Sequence, residues 1–307
     1  MASVEADQMA GFFATVAART SVDLEPITRR DILERMHLNG TEPEGVTYAE
    51  VDAGGVPALW CEPAVCDDAC VLMWNHAGGS VVFSMHSDRK LAGHLAKAAG
   101  VRVLVVDFRR SPENRFPAQE DDVETAYHWL LSQGYQPEKI VSGGHSIGGN
   151  LAVSLALRLR DQGEALPGAI LSVAGWYDIE LKNATLETNA ATDKSLTVPL
   201  MKSFRESWLG STGTPYDDPR VNPLHADLSG LPPINVYYGA YEILAGAVVE
   251  FADRAKAAGL DVSLHAGPEG QHLFMFGAGR VPETNAAIAE MGSWVRSKLG
   301  FAALPVA

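Results

Sequence analysis

The chain has 307 residues, of which 47% are hydrophobic and 20% charged, which favours a sizeable core and argues against global disorder. Its 38 acidic and 24 basic residues give a formal net charge of −14. This balance argues against a nucleic-acid binder, because phosphate recognition needs clustered Lys and Arg. Neither a signal peptide nor an apolar run long enough to span a bilayer is recognisable, so we expect a soluble cytoplasmic protein.

Cysteine usage excludes two further classes. Cys61, Cys66 and Cys70 do not have the number or spacing of a disulfide framework. They also lack C-x2-C spacing and a suitably placed histidine, so we predict free thiols and no metal site.

The apolar patterns predict an alternation of strands and helices. Such an alternation favours an α/β fold with a mainly parallel sheet covered on both faces. The first 45 residues are predicted to contain two short helices, and residues 47–60 a hairpin broken by Gly54 and Gly55. The remaining strands are predicted at 71–74, 101–106, 139–142, 168–173, 234–238 and 262–265. The remaining helices are predicted at 91–99, 121–131, from residue 151, at 246–258 and at 282–299, with an irregular aromatic-rich segment at 175–228.

The segment from Gly144 to Gly148 reads Gly-x-Ser-x-Gly and lies between a predicted strand and a predicted helix. That context is typical of a nucleophile elbow, a strained turn that exposes the serine above the sheet edge. The flanking glycines allow the neighbouring backbone to approach closely. Ser146 is therefore the candidate nucleophile.

A serine hydroxyl needs a base and a group that orients the base. His272, in the loop after the last strand, is the candidate base, and His265 is the weaker alternative because it falls within that strand. Glu242, after the strand at 234–238, is the candidate acid. Glu250 and Asp253 are expected on the solvated face of the following helix.

An acyl-transfer site also needs N–H donors for the oxyanion. The turn His76-Ala77-Gly78-Gly79 follows a predicted strand, and its glycines expose their peptide groups. We predict an oxyanion hole formed by the N–H groups of Gly78, Gly79 and Ile147, the residue after the nucleophile.

Several motifs together resemble the hormone-sensitive-lipase-like family of α/β-hydrolases. They are His76-Ala77-Gly78-Gly79 for the family's His-Gly-Gly-Gly, residues 107–113 for Asp-Tyr-Arg-Leu-Ala-Pro-Glu, residues 144–150 for Gly-Asp-Ser-Ala-Gly-Gly-Asn, and the prolines around 222–224 and 231–233. The resemblance runs from Val71 to Leu299. It implies an α/β-hydrolase domain over residues 46–307, with a cap formed by residues 1–45 and an insert at about 175–225.

The chain departs from the family's motifs at five positions. Ala77 replaces a glycine, and Phe108 replaces a tyrosine. His145 and Ile147 replace the common Asp and Ala of the elbow, and we expect Ile147 to narrow the acyl side of the pocket and to influence substrate choice. Glu242 stands where most members have Asp.

The residues and the resemblance both predict a serine hydrolase that cleaves carboxylic esters without a metal or organic cofactor. The substrate is expected to be a hydrophobic ester of short to medium acyl length or a lactone, and hydrolysis of terpenoid-type lactones as the main role is an alternative. A non-catalytic small-molecule-binding relative is the alternative from another class. The oligomeric state, including a homodimer, stays open. The candidates for lining the pocket are Met9, Phe12, Phe13, Trp176, Phe204 and Trp208.

Overall fold

The computed structural model describes residues 2–267 and 269–301. Parts of the predicted domain ranges therefore lie outside the described residues, namely Met1, Pro268 and residues 302–307. Pro268 also belongs to the loop that contains His272.

Eight strands of the described chain form one sheet. They are β1 (Val46–Asp52), β2 (Pro57–Pro63), β3 (Asp67–Asn75), β4 (Val101–Val106), β5 (Ile140–His145), β6 (Ala169–Val173), β7 (Ile234–Gly239) and β8 (Val262–Gly267). Their order is β1-β2-β4-β3-β5-β6-β7-β8. The predicted hairpin β1–β2 and the β2–β4 pair are antiparallel, and the other neighbours are parallel. The predicted α/β fold with a mainly parallel sheet is confirmed.

Helices cover both faces of this sheet, so β3 to β6 are buried along most of their length. The α-helices are α1 (Val4–Ala17), α2 (Pro26–Leu33), α3 (Met85–Ala99), α4 (Ala118–Ser132), α5 (Ile147–Gln162), α6 (Thr185–Thr188), α7 (Val198–Leu209), α8 (Ala245–Ala257) and α9 (Pro282–Leu299). Helices α3 and α9 pack together, while α5 contacts α4 and shares a second apolar cluster with α8.

Two segments pack above the carboxyl ends of the parallel strands. The first contains α1, α2 and a 3₁₀ helix at Glu34–Asn39, in agreement with the predicted short helices. The second lies between β6 and β7. The sequence predicts an irregular segment here, but it contains α6 and the 12-residue α7, which starts with the side chain of Thr197 capping the N–H of Leu200.

Asn150, in the first turn of α5, ties the second segment to the sheet. Its side-chain amide donates to the carbonyls of Trp176 and Val221, at 2.7 and 2.9 Å. These two carbonyls lie near the two ends of the insert. One buried amide therefore holds both ends beside the helix that follows Ser146.

Two further observations concern composition. All three cysteines are free thiols, as predicted. No helix within the described residues combines the length and apolarity that crossing a membrane requires.

Candidate active site

The elbow places Ser146 between β5 and α5 in a backbone conformation that side chains rarely adopt, with φ of 59° and ψ of −118°. Its N–H donates to the Val173 carbonyl at 2.8 Å, which fixes the turn to β6. Gly148 allows the helix to start directly against β3, because a Cβ there would lie 2.0 Å from the Asn75 carbonyl oxygen. The strained serine is therefore held by backbone packing on both sides.

Three predicted residues meet in one hydrogen-bonded chain. The hydroxyl oxygen of Ser146 lies 2.8 Å from Nε2 of His272, and Nδ1 of His272 lies 2.8 Å from Oε2 of Glu242. His265 instead stacks on Tyr237, with ring centroids 4.4 Å apart. Glu250 and Asp253 are exposed on α8, as expected.

Burial is the main influence on the pKa values of His272 and Glu242 in this hydrogen-bonded chain. His272 and Glu242 are only 1% and 0% exposed. Burial lowers the pKa of His272 below its ordinary value, so the imidazole is held in the neutral form that accepts a proton. Burial, joined by the negative charge of Asp193, raises the pKa of Glu242 well above its ordinary value. The hydrogen bond from Nδ1–H of His272 favours the carboxylate form.

Two of the three residues predicted to donate to the oxyanion border the same cavity. Gly78 and Gly79 line it together with Ser146 and His272. Within the described residues, the N–H groups of Gly78, Gly79 and Ile147 form no hydrogen bond to a protein acceptor. The N–H of Ile147 is also the first of α5, where helix geometry leaves it unpaired and favours negative charge. These donors are therefore available to a ligand.

Comparison with known proteins places this site in a family. A family model described as alpha/beta hydrolase fold matches residues 72–276. An acetyl-hydrolase of Streptomyces hygroscopicus is 34% identical over 250 residues, which cover 81% of this chain and 83% of that protein. An esterase of Acinetobacter venetianus is 29% identical over 286 residues, with coverage of 92% and 93%. The crystal structure of an esterase from the bacterial hormone-sensitive lipase family is 35% identical, with a TM-score of 0.93 and coverage of 98% and 100%.

The chain belongs to the hormone-sensitive-lipase-like family of α/β-hydrolases. The predicted family and fold are confirmed. The predicted class, carboxylic ester hydrolase, is confirmed as well, because relatives are named esterases and carboxylic ester hydrolases.

Phe108 and His145, which depart from the family motifs, make contacts that stabilise the site. Phe108 stacks on His76 with ring centroids 4.0 Å apart and supports the turn that contains Gly78. His145, next to the serine, donates from Nε2 to the His272 carbonyl at 3.0 Å. Burial lowers the pKa of His145 to about 3, so this ring stays neutral and fixes the His272 loop. The sequence marked both positions as unusual without indicating these contacts.

The cavity beside Ser146 is small, about 30 Å³, and mostly apolar. Of the six candidate lining residues, Phe204 is the one that lines it. Met9, Phe13, Trp176 and Trp208 are buried in the core instead, and Phe12 is partly buried against that core. Residues that the sequence did not predict to line the cavity are Leu33, Met36, Val82, Phe83, Ser195, Leu196, Leu200, Met201 and Leu273.

The predicted role of Ile147 needs a correction. Its side chain is fully buried in the main apolar cluster and is not among the described residues that line the cavity. The elbow turns this side chain away from the space above Ser146 and into the core. The expectation that Ile147 narrows the acyl side of the pocket is therefore not met by this geometry.

Side chains of the insert hold the turn that bears Glu242. Asn189 donates to the carbonyls of Ala240 and Glu242, at 3.0 and 2.9 Å. Thr192 donates to the Tyr241 carbonyl at 3.0 Å. The Gln271 amide, beside His272, accepts from the N–H of Lys194 at 2.7 Å. Sequence reasoning missed this group, because no motif or periodicity connects the insert to the turn.

Proposed function

We propose that the protein hydrolyses carboxylic esters through an acyl-enzyme formed on Ser146. The observation that carries the proposal is the continuous hydrogen-bonded chain from Ser146 through His272 to Glu242. The proposed reaction uses a hydroxyl donor, a neutral imidazole and a carboxylate. Burial favours the neutral imidazole of His272, and the hydrogen bond from its Nδ1–H favours the carboxylate form of Glu242.

The positions of the hydroxyl, the imidazole, the carboxylate and the three N–H groups support one reaction sequence. Ser146 attacks the ester carbonyl while Nε2 of His272 takes the hydroxyl proton. The oxyanion accepts hydrogen bonds from the N–H groups of Gly78, Gly79 and Ile147. His272 then returns the proton to the leaving alcohol and later activates the water that releases the acid, while Glu242 stabilises the imidazolium.

Cavity size favours short acyl groups. The cavity beside Ser146, about 30 Å³, is small and lined mainly by apolar side chains. Phe204 packs closely against Gly79, since a Cβ on Gly79 would lie 2.5 Å from the Phe204 ring. The Phe204 side chain therefore closes one side of the cavity. We therefore propose acetyl and similarly short esters as the preferred substrates. This agrees with the names of the acetyl-hydrolases among the relatives.

A hydrolysis panel tests this function. It contains p-nitrophenyl acetate, butyrate, octanoate and two lactones, one small and one terpenoid-type. We expect the highest kcat/KM with the acetate. A terpenoid-type lactone that exceeds all linear esters would instead support the lactone-hydrolase alternative.

The same panel, combined with a fluorophosphonate probe, distinguishes an enzyme from a binding protein. The probe should label the wild-type protein and leave Ser146→Ala unlabelled. Absence of labelling, together with absence of turnover on the whole panel, would favour a non-catalytic binding relative. The complete hydrogen-bonded chain argues against that alternative.

A further inference from the structure

A second carboxylate lies beside the acid-bearing turn. Asp193 belongs to the insert between α6 and α7 and is only 6% exposed. Its Oδ1 accepts hydrogen bonds from the N–H of Ser195, the hydroxyl of Ser195 and the N–H of Leu196, at 2.9, 2.9 and 2.8 Å. Its Oδ2 accepts from the N–H of Ile243 at 2.9 Å.

These four bonds join two parts of the site. Ser195 and Leu196 line the cavity above Ser146. Ile243 directly follows Glu242, so its peptide group belongs to the turn that presents the acid. One buried side chain therefore connects the wall of the substrate cavity to the backbone of the acid.

We propose that Asp193 is a positioning residue for ester hydrolysis, whose carboxylate fixes the Glu242 turn and supplies negative charge that supports the His272 imidazolium. This inference rests on the proposed function. Asp193 itself contacts neither Ser146 nor the predicted oxyanion donors, and it acts through Glu242 and His272.

The charges around His272 support this role. Burial is the main influence on the pKa of His272 and lowers it, while the negative charge of Asp193 raises it. Both oxygens of Asp193 are hydrogen-bonded, whereas Oε1 of Glu242 has no hydrogen-bond partner within the described residues. Four hydrogen bonds from the protein therefore hold the Asp193 carboxylate in place beside the Glu242 turn.

Groups from three parts of the chain surround His272: the elbow, the Glu242 turn and the insert. Glu242 bonds Nδ1, Ser146 lies at Nε2, His145 bonds the His272 carbonyl, and Asp193 acts through its charge. Burial keeps His145 neutral, since it lowers the pKa of that ring to about 3. A change in the charge of Asp193 should therefore appear directly in the titration of His272.

The test compares Asp193→Asn with Asp178→Asn. Asp178 is a matched control: it lies in the same insert, is 3% exposed, and accepts from the N–H groups of Lys182 and Asn183. For each variant, kcat and kcat/KM for p-nitrophenyl acetate are measured as a function of pH, with thermal unfolding as a check of folding.

We expect Asp193→Asn to lower kcat by about tenfold, because a less stabilised imidazolium makes His272 a weaker base. The acid limb of kcat/KM should move to lower pH by about half a unit or more, because the removed charge raised the pKa of His272. Asp178→Asn should leave the limb unchanged. A loss of stability alone would not move the limb.

Asp193→Glu keeps the charge and changes the geometry. We expect the wild-type acid limb with a lower kcat, which also provides a test if Asp193→Asn does not fold. The inference is overturned if Asp193→Asn leaves the acid limb unchanged, or if Asp193→Glu leaves kcat unchanged. Ser146→Ala is assayed in parallel. Activity retained in that variant would defeat the proposed function, whereas an inactive Ser146→Ala with an unchanged Asp193→Asn defeats only this inference.

Discussion

The nucleophile side and the acid side of the site are held in different ways. On the nucleophile side, backbone packs against backbone. A Cβ at Gly144 would lie 2.2 Å from the Gly148 carbonyl oxygen, and one at Gly78 would lie 1.9 Å from that of Val82. Close approach of this kind requires glycine, so short glycine-containing motifs in the sequence indicate this backbone geometry.

On the acid side, side chains of the insert hold the backbone. Asn189, Thr192 and Asp193 all bond to peptide groups of residues 240–243. These contacts connect residues far apart in the sequence and need no glycine. We therefore expect the nucleophile side to tolerate little change in shape, and changes on the acid side to reduce activity by degrees.

The largest expected effect is at the nucleophile. Ser146→Ala should reduce kcat for p-nitrophenyl acetate by roughly 10⁴-fold or more, because the remaining binding groups cannot replace covalent catalysis. Steady-state kinetics with equal thermal unfolding of both proteins is the measurement. Retention of more than a hundredth of the wild-type kcat would mean that the nucleophile lies elsewhere.

A shape change on the nucleophile side comes next. Gly148→Ala should lower the free energy of unfolding by about 3 kcal/mol, because the new methyl collides with the Asn75 carbonyl oxygen at 2.0 Å. Urea unfolding followed by fluorescence measures this.

Gly11→Ala is the matched control. Apart from its chain neighbours and the backbone of its own helix, no atom of the described residues lies within 4 Å of a Cβ at Gly11 in α1. That variant should gain stability by about 0.5 kcal/mol through helix propensity. Equal effects of the two variants would contradict the distinction between packed and open glycines.

The sequence permitted prediction of one side of the site in more detail than the other. Ser146, Gly78 and Gly79 lie in motifs whose spacing reflects backbone geometry. Glu242 and His272 were predicted from their places after strands, and the structure brings them together. The Asn189 bond to Glu242 spans 53 positions, so no local pattern indicates it. Helix α7 does have a local signal, the Thr197 cap followed by Phe204 and Trp208 at helical spacing, which the sequence prediction missed. The cavity-lining positions of Leu196 and Met201 depend on how the insert folds over the site, and no local pattern indicates them.

A change on the acid side should have an intermediate effect. Asn189→Ala removes both side-chain donors from the carbonyls of Ala240 and Glu242. We expect kcat to fall by about tenfold, with little change in KM, since a displaced acid disturbs His272 more than substrate binding. Glu187→Ala, an exposed neighbour in α6, is the control. A kcat within twofold of wild type for Asn189→Ala would show that the turn holds its shape alone.

Enlarging the cavity should change the selectivity between acyl chains by a smaller factor. Phe204→Ala opens the wall beside Gly79, so kcat/KM for p-nitrophenyl butyrate relative to acetate should rise by roughly fivefold. Ile147→Ala, whose side chain is buried away from the cavity, should leave this ratio unchanged. A larger shift in Ile147→Ala than in Phe204→Ala would reverse the assignment of the acyl wall.

The smallest expected effect is the response of the wild-type enzyme to mild acid. In the proposed mechanism the neutral form of His272 is the base, so kcat/KM should be lost as the pH falls through the pKa of His272. Because burial lowers that pKa below its ordinary value of 6.5, kcat/KM should fall by less than about twofold from pH 7 to pH 6. An imidazole of ordinary pKa would give about a threefold fall.

The central claim is that Ser146 carries the acyl group during turnover. Its most direct test is acid quenching of the enzyme during turnover of p-nitrophenyl acetate, followed by mass spectrometry of the intact protein and its peptides. We predict one acetyl group on the peptide that contains Ser146 and none in Ser146→Ala. Turnover without an adduct on this peptide, or an adduct that persists in Ser146→Ala on another residue with unchanged activity, would contradict the account.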